Sequence, residues 1–107
     1  MVTDKIVVLT TCNSQEQGAQ LARHLIEHRL AACVNIITGA RSFYRWKGEI
    51  EQAAEVVVII KSRRDVFEKL RDAITHLHSD EIPEVIALPV VDGSEAYLHW
   101  LDREVSS

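Results

Sequence analysis

The sequence of 107 residues is poor in cysteine, proline, glycine and aromatic side chains. Its two cysteines, Cys12 and Cys33, are too few for the disulfide framework of a small secreted domain. Free thiols in a reducing compartment are therefore expected. Two prolines and four glycines build no linker, and no low-complexity stretch divides the chain, so one domain over residues 1–107 is expected. No apolar run approaches the ~18 residues that a membrane span requires, which argues against a membrane partner. Basic residues are not in excess. Twelve Lys and Arg against sixteen Asp and Glu leave a net charge of −4, which argues against a nucleic-acid partner. The opening Met1-Val2-Thr3-Asp4-Lys5 lacks a basic-then-apolar leader pattern, so a cytoplasmic protein is expected. What is present is 47% hydrophobic and 26% charged residues, a mixture able to bury a core without disulfide or metal.

Ile6 to Thr11 is a β-branched apolar run and reads as a buried strand. Ser14 followed by Gln17 is a capping-box start, and Leu21, Ala22, Leu25 and Ile26 carry a helix to about Arg29. A second strand starts at Cys33, bends at Gly39 and resumes over Ser42-Phe43-Tyr44-Arg45-Trp46. Lys47-Gly48 is a turn signal, and a third strand ends in Val56-Val57-Val58-Ile59-Ile60. Its middle, Gln52-Ala53-Ala54, is weak. Ser62 with Asp65 reads as a second cap, before a helix with Val66, Leu70, Ala73, Ile74 and Leu77 on its apolar stripe. After a polar loop from His78 to Pro83, Val85 to Val91 reads as a fourth strand, at an edge or broken at Pro89. Ser94 caps a last short helix.

The order is β-α-β-β-α-β plus a C-terminal helix, a ferredoxin-like α+β sandwich with a long hairpin. It places Cys12, His76 and His78 at one end of the sheet. Cys33 falls at the other end, near Lys61 and roughly 20 Å from Cys12 at a strand rise of ~3.3 Å per residue. A disulfide between the two within one chain is excluded. Cys33 to Trp46 is far longer than an ordinary strand of about five or six residues. The hairpin must project, with Phe43, Tyr44 and Trp46 near its tip, and such an aromatic surface implies a second copy of the chain.

These residues identify a family. Leu9-Thr10-Thr11-Cys12, Leu30-Ala31-Ala32-Cys33-Val34-Asn35-Ile36-Ile37, Ser42-Phe43-Tyr44-Arg45-Trp46-Lys47-Gly48, Ile60-Lys61, His78 with Pro83-Glu84, and Tyr97-Leu98-His99-Trp100-Leu101 resemble the CutA family of divalent-cation tolerance proteins. The resemblance covers nearly the whole chain. It implies a cytoplasmic homotrimer related in architecture to PII-type signalling proteins. It also implies binding of copper or other divalent cations, and no secure catalytic reaction. In relatives, residues matching Trp46 and Lys61 line a cleft between subunits, to which Glu84 is added here. The relatives' loop tyrosine is replaced by Asp80. A second histidine before the first is replaced by Leu77. Thr10 stands where some relatives place their cysteine ligand.

Cys12, His76, His78, Asp80, Glu81 and Glu84 cluster at one end of this topology. Thiolate and imidazole suit copper or zinc, so Cys12, His78 and Glu81 are the candidate metal ligands. Cys12 precedes a helix N-terminus, which is expected to favour its thiolate. His24 and His28 have i, i+4 spacing, but no third ligand lies near them in sequence. Lys61, Arg63 and Arg64 precede the second helix and offer an anion site. Arg64 with Glu68 reads equally as a surface ion pair. An alternative function is therefore a PII-like module that binds a small anion or a protein in the cleft. The acylphosphatase reading of this topology fails, because Thr11-Cys12-Asn13-Ser14 contains no arginine.

Overall fold

The computed structural model describes residues 3–106. Met1 and Val2, part of the start read above for a leader, lie outside it, as does Ser107. The chain forms β1 (Lys5–Cys12), α1 (Gln15–Glu27), β2 (Cys33–Trp46), β3 (Glu49–Arg63), α2 (Phe67–Leu77), β4 (Ile86–Pro89) and α3 (Glu95–Glu104). The strands make one antiparallel sheet in the order β2-β3-β1-β4, which is the ferredoxin-like arrangement read from the sequence.

Alternation along the strands defines the core. β1 buries Ile6, Val8, Thr10 and Cys12, and β3 buries Val56, Val58, Ile60 and Ser62 on the same face. Leu21 and Leu25 of α1 and Leu70 and Ile74 of α2 join this cluster. Each such Leu or Ile contributes about 1.5–3 kcal/mol by leaving water. The opposite face remains open: Ile37 is 50% exposed, and Ile86 and Leu88 are each 48% exposed. α3 is fixed at the end of the sheet where β1 begins by buried Leu101 and Val105, and by Asp102, which takes ion pairs from both Lys5 and Arg63 at 3.3 Å.

The hairpin is as long as expected, with 14 residues in β2 and 15 in β3. The weak segment Gln52–Ala54 stays extended because it is paired with Arg41–Phe43. The register slips between Ile37 and Ala40, where Gly39 adopts φ +88°. At the tip, Lys47 and Gly48 both have positive φ, the conformation of a two-residue turn that matches strand twist. Phe43 and Ile50 there are 65% and 72% exposed.

Two boundaries differ from the sequence reading. Ser62 does not cap α2. Its buried hydroxyl donates to the Leu30 carbonyl at 2.6 Å, so a 3-10 turn over Arg64–Val66 enters the helix instead. Arg63, rather than Arg64, makes the local ion pair, gripping Asp65 with two 2.9 Å hydrogen bonds. β4 is only four residues long and pairs on one side with β1 alone, Pro89 being tolerated at this edge, and past it the Val90 N–H still donates to the Lys5 carbonyl at 3.1 Å.

Candidate functional site

The end of the sheet where β1 stops is organised by short polar side chains. Ser14 accepts from the Gln17 N–H at 3.1 Å and starts α1 as expected. The Gln17 side chain reaches back past the cap, accepting from the Asn13 N–H at 3.0 Å. Its amide nitrogen donates to Ser79 Oγ at 2.8 Å, and Asn13 Nδ2 donates to the same oxygen at 3.2 Å. The loop after α2 is thus tied to the start of α1.

His78 sits behind this clasp, with its side chain only 1% exposed. Its Nε2 lies 2.6 Å from the Thr11 carbonyl, and its Nδ1 lies 2.9 Å from the Asp80 N–H. A carbonyl only accepts and an amide N–H only donates, so Nε2 carries the hydrogen and Nδ1 is the acceptor. Both ring nitrogens are therefore engaged.

Cys12 is fully buried. The strand alternation that points Val8 and Thr10 inward points Cys12 inward too, into the apolar layer shared with Leu21 and Leu25 of α1. Burial pushes its thiol above the ordinary cysteine range, and the charges of Asp80 and Glu55 push it in the same direction. The expected stabilised thiolate is corrected accordingly: a thiol in apolar surroundings keeps its proton.

Two cavities lie at this end of the sheet, and His78 lines the smaller. A smaller one, about 280 Å³, is lined by Cys12, His24, Leu77 and His78. A larger one, about 710 Å³, lies between the ribbon and the loop, and is lined by Tyr44, Trp46, Glu55, Asp80, Glu81 and Glu84 among others. The structure therefore unites Cys12 with His78 but puts Glu81 in the neighbouring cavity, with Trp46 and Glu84. Lys61 lies elsewhere. It is opposite Cys33 at the base of the ribbon, whereas Trp46 is opposite Glu49 at the tip. Within one chain the two do not meet. His76 and His99 are exposed and line neither cavity.

His24 was not joined to Cys12 by sequence spacing. It stacks on His28 with ring centres 4.1 Å apart, yet it also faces the cavity of Cys12 and His78. The available signal was its position beside Leu21 and Leu25 on the inward stripe of α1. Among the described residues, no three His, Cys, Asp or Glu side chains gather closely enough to hold a metal ion. A preformed ion site within one chain does not fit these donors.

The sheet order, long ribbon and loop geometry together match one known group. The CutA1 divalent ion tolerance protein family matches residues 6–104. The chain belongs to that family. A divalent-cation tolerance protein CutA of Thermus thermophilus is 43% identical over 95 residues, covering 89% of this chain and 92% of that protein. The chloroplastic CutA of Arabidopsis thaliana is 43% identical over 96 residues, 90% of this chain but 53% of that protein, so the chain spans about half of that relative. A solved structure from Archaeoglobus fulgidus, described as a periplasmic divalent cation tolerance protein CutA, superposes with a TM-score of 0.93 at 36% identity, covering 95% of this chain and 99% of that one. CutA membership makes this a tolerance protein rather than an enzyme. It does not fix a compartment, since these CutA relatives are named for two different ones. Among the described residues, no helix of this CutA chain is long and apolar enough to cross a membrane.

Proposed function

We propose that this chain acts as a homotrimer that binds divalent cations, copper among them, in the cytoplasm. The observation that carries the assembly is the apolar surface left open on one copy: Ile37, Ile86 and Leu88 on the sheet face, and Phe43, Tyr44 and Ile50 near the ribbon tip. A stable monomer rarely leaves so many large apolar side chains in water, and closed rings of identical copies remove them. Pairing of ribbons between copies would also bring Trp46 and Glu84 of one copy toward Lys61 of another, forming the cleft that the family resemblance implies.

The ion class follows the names of the relatives. Cys12 and His78 share one cavity wall and are the pair suited to a soft ion, with Glu81 supplied from the adjoining loop. His78 must leave Thr11 or Asp80 to offer a nitrogen, so binding is coupled to movement of that loop. The free thiols Cys12 and Cys33 agree with a reducing compartment.

Light scattering tests the assembly. A species of three times the 12.1 kDa chain is expected, and a stable species near 12.1 kDa would overturn it. Copper titration by calorimetry tests the site. Binding is expected to fall sharply in Cys12→Ala and in His78→Ala, and unchanged binding in both removes these residues from it.

A further inference from the structure

At the base of the ribbon, Cys33 of β2 stands directly across from Lys61 of β3. Lys61 Nζ is 3.7 Å from Cys33 Sγ. Asn35 Oδ1 accepts from Lys61 Nζ, and it lies 3.8 Å from Cys33 Sγ. One amide oxygen thus holds the amine and the thiol side by side. Both Cys33 and Lys61 are partly exposed, in contrast to Cys12. Partly exposed thiols beside a cation are the ones open to oxidation, whereas thiols in apolar cores are inert.

We propose that Cys33 and Lys61 form a reversible covalent bridge through a single oxygen atom, Sγ–O–Nζ, with dioxygen as the oxidant. The ammonium first gives one proton to water. The amine then loses one N–H hydrogen and the thiol its S–H hydrogen. The O–O bond breaks, one oxygen forms the new N–O and O–S bonds, and the other leaves with the two hydrogens as water. Sulfur and nitrogen together give up the four electrons that dioxygen takes. Two equivalents of a dithiol return four electrons and restore thiol, amine and water. The bridge staples edge strand β2 to β3 inside the sheet, at the end of their pairing farthest from the ribbon tip. It also removes the charge of Lys61 from that surface.

The test is intact-mass and peptide analysis of the full chain before and after incubation in air-saturated buffer. The expected product gains one oxygen and loses two hydrogens. Trypsin ceases to cut after Lys61, the peptides bearing Cys33 and Lys61 are joined, and dithiothreitol reverses all three changes. Cys33→Ser and Lys61→Arg each lose the product, while Cys12→Ser keeps it. A gain of one oxygen with no loss of hydrogen, or a disulfide between two copies, formed equally in wild type and Lys61→Arg, overturns the proposal. The wild-type mass decides the question even where a variant fails to fold.

Discussion

Nε2 of His78 donates to the carbonyl oxygen of Thr11 at 2.6 Å and joins the end of α2 to the end of β1 across 67 positions of sequence. With Nδ1 receiving the Asp80 N–H, the ring is a buried spacer satisfied on both sides.

Replacing His78 by Ala orphans the Thr11 carbonyl and the Asp80 N–H and opens the cavity beside Cys12. A loss of about 1–3 kcal/mol is expected from the unmade hydrogen bonds. Urea denaturation measures it. A midpoint equal to that of wild type would show that water replaces the ring without cost.

The two thiols differ in reach. Burial holds the Cys12 thiol protonated, while Cys33 is partly exposed. A colorimetric thiol reagent is expected to titrate Cys33 rapidly in the native protein and Cys12 only on unfolding. Rapid reaction of Cys12 in native buffer would contradict its placement in the core.

Acid stability follows the carboxylates where β1 begins and β3 ends. Hydrogen bonds and charge from Arg63 hold Asp65 below the ordinary carboxylate range, and Lys5, followed by Arg63, does the same for Asp102. Burial pulls Lys5 down, but Asp4 and Asp102 outweigh it and its net shift is upward. A depressed carboxylate adds stability that is complete above its unfolded value of about 3.9 and is lost as pH falls through the lower folded value. Asp102→Asn is therefore expected to be less stable than wild type at neutral pH. The two should converge in strong acid, as followed by denaturant midpoints against pH. A constant gap down to pH values well below the carboxylate range would refute this.

Two backbone positions predict opposite signs. Gly39 has φ +88° and no atom within 4 Å of an added Cβ, so Gly39→Ala costs torsional strain alone, about 1–2 kcal/mol. Arg29 has φ +56° at the end of α1, where Leu30 N–H bonds the Leu25 carbonyl and Arg29 N–H bonds the Ile26 carbonyl. This left-handed cap usually belongs to glycine. Arg29→Gly is expected to stabilise the fold by about 0.5–1 kcal/mol, read from thermal melts.

Local signals in the sequence were reliable. The Ser14 cap, the bend at Gly39 and the turn at Lys47-Gly48 each depend on residues within a few positions and formed as read, although the Gln17 side chain takes the Asn13 N–H rather than that of Ser14. So did the placement of Cys33 near Lys61, because strand direction dictates it. The failures are non-local. Ser62 has the spacing of a cap, but the Leu30 carbonyl, 32 positions away, takes its hydroxyl. His24 joins Cys12 and His78 only once α1 and α2 lie side by side. The chemical state of Cys12 was misread because proximity to a helix start was weighed above the alternation that turns it inward.

The pairing of β1 with β4 sets Ile6 against Pro89. During synthesis β1 waits with one flank bare until β4, some eighty positions further along, has left the ribosome, whereas the ribbon can zip together from its own turn well before that.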